Sequence, residues 1–375
     1  MPVEKEPLGW DRRKGFRKLY PQVMLPFQVV ERVPFGHPDL EPNRLFWGDN
    51  LHVMRQLPSG SIDLIYIDPP FFSGRQYNVI FGDQNELRSF SDIWEGGMPG
   101  YLIWLNARLY EMKRLLKKAG SIYVHCDHHA GHYIKAEMDK IFGYDLFVNE
   151  VLWCYKSGGA SPKRYFSRKH DTLLFYGRGE SYSFYPQQEK SYNRGFKPYR
   201  FAGVQEYQDE VGWYTIVGMK DYWEIDMVGR TSSERIGYPT QKPEKLLERV
   251  IAASSEKGAV VADFFCGGGT TAAVAQRLGR RWIACDQSRV AVAITADRLT
   301  RQVEEQTGKV FPVPDFTVEH WGVYEARRLS EAPPEQFRLF VLRAFGAVPE
   351  DHDAGVHGYK GAVPVWVGEP DQKKA

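Results

Sequence analysis

The sequence predicts an α/β chain built on a doubly wound, mostly parallel sheet, and three observations carry that expectation. Ile62, Leu64, Ile65, Tyr66 and Ile67 form an apolar, partly β-branched run between a charged turn and two prolines, as a strand buried in a parallel sheet does. Val260 to Phe264 is a second run of this kind. It leads through the glycine turn Cys266-Gly-Gly-Gly269 into a helix over Thr270 to Leu278 closed by Gly279, then a strand over Trp282 to Cys285 ending at Asp286. Between the two runs, Leu102, Leu105, Leu109, Met112 and Leu116 fall at helical spacing within Tyr101 to Lys118, before a stop at Gly120.

Length and composition are compatible with this class. The 375 residues suffice for one large α/β domain plus an inserted or appended module. A formal net charge of +2 excludes wholesale coating of nucleic acid and leaves room for a local basic patch. Cys126, Cys154, Cys266 and Cys285 lie in separate hydrophobic segments without CxxC spacing, so they read as small buried hydrophobes, not as disulfides or a zinc knuckle. No apolar leader and no membrane-length apolar run is present, which predicts a soluble, cytoplasmic protein with no membrane contact.

Taken in order, residues 1–43 are rich in proline, charge and aromatics with poor periodicity, and predict an irregular arm. Arg44 to Gly48 is a short strand, and Asp49-Asn50 caps a helix over Leu51 to Leu57. The strand at Ile62 to Ile67 ends in Asp68-Pro69-Pro70-Phe71. Two prolines can neither continue a ladder nor enter a helix interior, so a stiff loop must leave the sheet here, at the strand end where open α/β sheets bind ligands. Asp68 and the carbonyl of Pro69 can accept both N–H bonds of an exocyclic amino group, with Phe71 stacked on the ring. That fits adenine or cytosine drawn out of a duplex; a plain strand-ending turn with a capping Asp is the alternative. The polar run after it, up to Trp94, reads either as a mobile lid with Arg75 near a DNA backbone or as a long surface loop.

Strands are expected at Ser121 to His125, Val148 to Tyr155 and Thr172 to Tyr176, with Asp127 capping a helix over His129 to Phe142. The string His125-Cys-Asp-His-His-Ala-Gly-His132 contains zinc-type ligands, though no metal is expected there. Lys156 to Arg200 carries ten Lys or Arg against three Asp or Glu, interleaved with ten Phe or Tyr, the composition of a surface that neutralises phosphates and stacks on bases. Gly177 to Gly237 offers Arg178, Arg194, Lys197, Arg200 and Lys220 as base readers, with Arg230 and Ser232 to Arg235 leading back to the main domain. Pro243 sits in the first turn of a helix over Glu244 to Ser254, whose N-terminus, with Lys242, attracts a carboxylate.

The stretches LFWGDN, DPPF, GSIYVHCDHHAGHY, RKHDTLLFY, YPTQKP, DFFCGGGTT and RRWIACDQS, spread from Leu45 to Leu299, resemble in sequence and order the amino-group DNA methyltransferases dependent on S-adenosylmethionine. The resemblance is to the permuted, beta class, whose catalytic motif precedes its cofactor motif. It implies a Rossmann-like methyltransferase fold with an inserted DNA-recognition region, a flipped-out base as substrate and S-adenosylmethionine as cofactor. Asp68, Pro69, Pro70 and Phe71 are then catalytic, with adenine N6 favoured over cytosine N4 because the first residue is Asp. Asp49, Lys242, Asp263, Phe265, Gly267, Gly269, Thr270, Thr271 and Asp286 are the cofactor residues. Residues 1–43 become an N-terminal arm, 44–176 the catalytic half, 177–237 the target-recognition region, 238–306 the cofactor half and 307–375 an extension of unknown role. Double-stranded DNA is the expected partner, in the nucleoid, with a homodimer and a cognate restriction endonuclease as further candidates. One departure stands out: the family places Pro directly after the Asp of its cofactor motif, where this chain has Phe264.

The glycine motif alone also fits a dinucleotide fingerprint, through Gly267, Gly269, Ala272 and Asp286, so a nicotinamide enzyme is a rival. A non-catalytic DNA-binding module on the same fold is another.

After a helix over Val290 to Gln306, Phe316 to Phe345 shows apolar positions at helical spacing interrupted at Pro333-Pro334, and a hairpin follows. Asp351, Asp353 and Lys360 are too sparse to make a nuclease centre.

Overall fold

The strand Ile62–Ile67 (β3) is buried because its side chains alternate between two apolar layers. Ile65 and Ile67 enter one, with residues of the helices Asn50–Gln56 (α1), Gly97–Leu115 (α2) and Gly131–Phe142 (α3). Leu64 and Tyr66 enter the other, with residues of Glu244–Ser254 (α4), Thr270–Arg277 (α5) and Arg289–Glu305 (α6). A strand with helices on both faces has no water-facing side, which is why its sequence is a continuous apolar run. The computed structural model describes residues 25–35, 37–72, 97–156, 163–229, 231–238, 240–305, 312–322, 324, 329, 331–350 and 355–368.

The remaining strands of the main sheet are Gln28–Val33 (β1), Asn43–Trp47 (β2), Leu116–Cys126 (β4), Phe147–Cys154 (β5), His170–Gly177 (β6), Tyr222–Glu224 (β10), Val260–Asp263 (β11), Arg281–Asp286 (β12) and Phe316–His320 (β13). They form one ten-stranded sheet in the order β1-β13-β2-β12-β11-β3-β4-β6-β5-β10. Pairing is parallel from β13 through to β4, while β1 and β6 run antiparallel to their neighbours. From β3 the chain winds outward to β4, and from β11 it winds the opposite way to β12. The switch between these directions lies between β11 and β3, and there an open α/β sheet forms its ligand crevice. Strands from 44–176 and from 238–306 thus interleave in one sheet.

Two further sheets stand apart. Gln188–Tyr192 (β7), Tyr207–Gln208 (β8) and Trp213–Gly218 (β9) form a three-stranded antiparallel sheet in the order β7-β9-β8, inside the segment 177–237. Val348–Pro349 (β14), Gly358–Lys360 (β15) and Val363–Val365 (β16) form another beside the helix Pro334–Phe345 (α7), around Leu342, Ala347 and Val367.

Several expectations are corrected. Residues 28–33 are a strand, not part of an irregular arm, and Phe316–His320 is a strand where helical spacing was read; only Pro334–Phe345 of that stretch is a described α-helix of more than one turn. The alternation of β13 is hidden because Glu319, 4 % exposed, is buried by a two-pronged ion pair with Arg44. The helix after β4 starts at Gly131, and Ala130 caps it without a side-chain bond. Asp127 instead accepts from the His129 N–H at 2.9 Å and pairs with its ring nitrogen at 2.7 Å. The four cysteines are free, with Cys154 only half-buried. No helix of the described residues is long and apolar enough to cross a membrane. The expectations placed on Arg75 and the run around it, on Arg230, and on Asp351 and Asp353 lie outside the described residues.

Candidate active site

The parallel strands β2, β12, β11, β3 and β4 end at one edge of the sheet, and the antiparallel β6 begins there. Their terminal residues therefore meet. Asp68 follows β3; its Oδ2 holds the Lys242 ammonium, while its Oδ1 is buried without a hydrogen-bond partner. Pro69 is buried and Phe71 half-buried, the Phe71 ring lying 5.3 Å from that of His125, with the Lys242 nitrogen 5.5 Å from its centre. Phe72 then takes a left-handed backbone, φ +58°, and packs on Tyr101 at 5.8 Å. A phenylalanine in that conformation is strained.

His125, fully buried at the end of β4, is the second centre of this cluster. Register sets its partner: Cys126 lies opposite Thr172 across the antiparallel β4–β6 pair, so Asp171 arrives beside His125. His125 Nε2 lies 3.2 Å from Asp171 Oδ2, and Nδ1 lies 2.9 Å from the Tyr66 hydroxyl and 3.4 Å from Asp68 Oδ1. Burial, reinforced by the Asp68 charge, holds the Tyr66 phenol protonated well above its ordinary range. In the tautomer with the ring proton on Nε2 toward Asp171, Nδ1 accepts from the phenol O–H. Burial opposes ionisation of Asp171, yet the His125 hydrogen bond and charge, with Lys242 and the Tyr155 hydroxyl, bring its carboxyl below the usual value. Neither His125 nor Asp171 was expected to act from sequence. Their signals are a titratable residue near the end of an otherwise apolar strand and their place in two of the stretches that carry the resemblance, neither of which pairs them.

The glycine turn forms the other half. Asp263 is internal to it: its oxygens accept from the Phe265 N–H at 3.0 Å and the Thr271 hydroxyl at 2.5 Å. Burial pushes its carboxyl up to about 7 against those two bonds. Asp263 and Thr271, both nearly inaccessible, hold the turn in shape instead of lining a cavity. Asp286 accepts from the Gly267 N–H at 2.9 Å and the Ser288 N–H at 2.8 Å, tying the turn to the end of β12, and burial raises its pKa. Gly267 and Gly269 both have left-handed backbones, φ +49° and +70°, and a Cβ on Gly269 would meet Thr295 at 2.6 Å. From α6, Thr295 donates to the Gly267 carbonyl at 3.0 Å, and Arg298 donates to the Gly268 carbonyl and the Thr270 hydroxyl, each at 3.0 Å. Sequence reasoning missed Thr295 and Arg298.

The halves are joined through Lys242. Its ammonium lies on Asp68, and its backbone carbonyl accepts from the Thr270 hydroxyl at 3.2 Å. The sequence placed this ammonium near the N-terminus of α4 for an anion; the structure places it on the Asp68 carboxylate. Asp49 caps α1 through the Leu51 N–H at 2.8 Å and receives Arg108 on both oxygens at 2.9 and 3.1 Å. Arg108 also donates to Asn50 at 2.7 Å, and Asn50 to the Phe264 carbonyl at 2.7 Å, so the Asp49 cap is fixed to the start of the glycine turn. Phe265 packs 5.7 Å from Trp104 in the same group.

A conformationally free glycine turn, an acid at the end of the adjacent strand and a buried acceptor across the switch point fit a nucleoside-bearing cofactor and a second reactant facing it. The segment 177–237 presents exposed Phe196, Tyr199 and Phe201, and Phe166, before it, is 98 % exposed. Arg194, Lys197 and Arg200 have the exposure that base or phosphate contact needs. Arg178 instead donates to the Lys113 carbonyl at 2.9 Å, and Lys220 lies 3.5 Å from Glu189.

A family model described as DNA methylase matches residues 62–297. The chain is 26 % identical over 322 residues to the DNA adenine methyltransferase YhdJ of Escherichia coli K12, covering 81 % of this chain and 97 % of that protein. It is 28 % identical over 256 residues to the type II methyltransferase M.HpaI of Haemophilus parainfluenzae, covering 68 % and 74 %. Among solved structures, the cytosine-N4-specific PvuII DNA methyltransferase superposes with a TM-score of 0.50 at 18 % identity, covering 74 % of this chain and 94 % of that one. This last likeness is one of fold.

Proposed function

The chain belongs to the DNA methylase family, whose model its residues 62–297 match, and from that premise we propose that it methylates the N6 amino group of adenine in double-stranded DNA, with S-adenosylmethionine as methyl donor. The observation that carries the proposal is the buried, unpartnered Oδ1 of Asp68 at the switch point, next to the glycine turn. An exocyclic amino group conjugated to a purine is a poor nucleophile. Asp68 Oδ1 and the Pro69 carbonyl accept its two N–H bonds and localise the lone pair, and Phe71 stacks on the extruded ring. Pro69 and Pro70 fix the acceptors by removing backbone freedom.

The donor supplies a methyl carbon made electrophilic by a sulfonium. Gly267 and Gly269 let the backbone approach it, Asp286 takes the ribose hydroxyls, and Asp49, Phe265, Thr270 and Lys242 complete the cradle that Asp263 and Thr271 hold in shape. The chain's task is largely geometric: two reactants held in line in a crevice need no covalent intermediate. The catalytic motif precedes the glycine motif, as in the permuted class, and the sheet tolerates this because both motifs sit at carboxyl ends of adjacent parallel strands.

Adenine is favoured by Asp as the first residue of the catalytic motif and by the adenine-specific name of the E. coli relative. Cytosine N4 is the second reading, because the same two acceptors serve the exocyclic amino group of either base. Asp68→Ala is expected to abolish methyl incorporation while duplex DNA binding stays within about threefold of wild type. Undiminished incorporation by this variant overturns the assignment of Asp68.

A further inference from the structure

Asp68 Oδ1, which has no hydrogen-bond partner, lies 3.4 Å from His125 Nδ1, and in the tautomer where Nδ1 receives the Tyr66 O–H two acceptors face each other there. This pair is one proton short of a hydrogen bond. Behind it, Asp171 fixes the opposite ring nitrogen and in turn accepts from the Tyr155 hydroxyl at 3.1 Å. The imidazole is sealed from water, whereas the Asp171 side chain is 14 % exposed. Carboxylate, imidazole and carboxylate thus lie in successive contact.

We infer that His125, oriented by Asp171, takes over from Asp68 the proton that the amino nitrogen loses on methylation. The inference rests on the amino-methylation reading above. As the nitrogen lone pair forms the N–C bond, the S–C bond breaks and its electrons remain on sulfur as a thioether. The nitrogen then holds one proton more than the neutral methylamino product. That proton passes to Asp68 Oδ1 and across to His125 Nδ1, while the Tyr66 hydroxyl turns from donor to acceptor. The resulting imidazolium lies between the Asp68 and Asp171 carboxylates; Nε2 keeps its proton toward Asp171, and the Nδ1 proton leaves to water past Asp68, 18 % exposed, once the methylated base has departed, which restores the starting tautomer. Asp68 is thereby returned to its ionised form, ready for the next amino group.

The charges around the ring suit this role. Asp68 and Tyr66 face it from β3 and its loop, Asp171 from β6, and Trp153 packs edge-on from β5 at 5.5 Å. Two carboxylates and the Lys242 ammonium are thus the charges gathered about the ring.

The test is single-turnover methyl transfer by the full chain, with donor and duplex DNA saturating, from about pH 5 to about pH 9, a range that spans the ordinary titration of imidazole. In the wild type the rate is expected to fall on the acid side, because His125 then already holds a proton from water. His125→Gln is expected to lower the plateau by about a hundredfold and to remove that acid limb, with DNA affinity unchanged. Asp171→Asn is expected to move the limb to lower pH, since losing a neighbouring negative charge disfavours the imidazolium. In the donor-free protein, the hydrogen-bonded imidazole N–H proton resonance should be present in wild type and absent in His125→Gln. A folded His125→Gln with the wild-type rate, or with the same loss at every pH and the limb intact, overturns the inference. Should that variant not fold, an unmoved limb in Asp171→Asn does so. Absence of methyl transfer by the wild-type chain is a different result and overturns the amino-methylation reading itself.

Discussion

Burial of Asp263 makes a carboxyl that titrates near neutrality, pushed up to about 7. Between the ordinary carboxylate value of about 4 and that figure, the folded chain holds a proton that the unfolded chain has released. The contribution of this group to stability is therefore fully present below the unfolded value and is lost as pH rises through about 7. Asp263→Asn can still accept from Phe265 and meet the Thr271 hydroxyl, but it carries no such proton. Thermal unfolding of the two proteins from about pH 4 to about pH 8 is expected to show the wild type losing stability relative to the variant as pH rises, by about 1.4 kcal/mol for each step of one in pH within that window. A difference that does not change with pH would show that Asp263 is ionised throughout. Single residues were unevenly legible in the sequence. Asp68, Gly267 and Asp286 announce themselves because their neighbours are diagnostic, two prolines in one case and a glycine turn between strands in the other. His125 and Asp171 do not, since their meeting depends on an antiparallel register that joins strands 46 residues apart.

The glycine turn and the helix packed on it form the element at which shape matters most. Gly269 combines a left-handed backbone with a Cβ position already occupied by Thr295, which is itself buried and bonded to the Gly267 carbonyl. Gly269→Ala adds a backbone cost of about 1–2 kcal/mol and a steric overlap with a side chain that cannot move freely. Donor affinity measured by calorimetry is expected to fall at least tenfold. The double variant Gly269→Ala with Thr295→Ala should recover part of it, because the overlap is relieved and the backbone cost is not. Wild-type affinity in the single variant would contradict the role given to the turn. The turn was readable from its glycines; its support was not, because Thr295 and Arg298 look like ordinary polar positions on an amphipathic helix until α6 is laid against the loop.

At the scale of the whole molecule, the sheet is closed on one side by strands that the sequence did not reveal. β1 and β13 come from segments far apart in the chain, and each carries a charged residue whose ion pair has one buried carboxylate: Arg32 of β1 with Asp315, just before β13, and Glu319 of β13 with Arg44 of β2. Central strands are legible as continuous apolar runs, whereas an outer strand that buries charge in pairs reads as loop. A chain ending after residue 305 would lose β13, uncover the edge of β2 and open the layer that holds Phe316 and Val318. It is expected to aggregate or to melt well below the full chain. A chain ending after residue 331 loses only α7 and the small sheet around Leu342, Ala347 and Val367, and should keep its melting temperature within a few degrees. Equal behaviour of the two truncations would contradict the place given to β13.

The central claim is that this crevice methylates an amino nitrogen with Asp68 as acceptor, and digestion of treated DNA to nucleosides followed by mass spectrometry tests it most directly. With S-adenosylmethionine and unmethylated duplex DNA, the wild-type chain is expected to produce N6-methyladenine, and Asp68→Ala none. N4-methylcytosine in its place would retain the mechanism and change the base. No methylated base from the wild-type chain would contradict the account, leaving a DNA-binding protein on this fold.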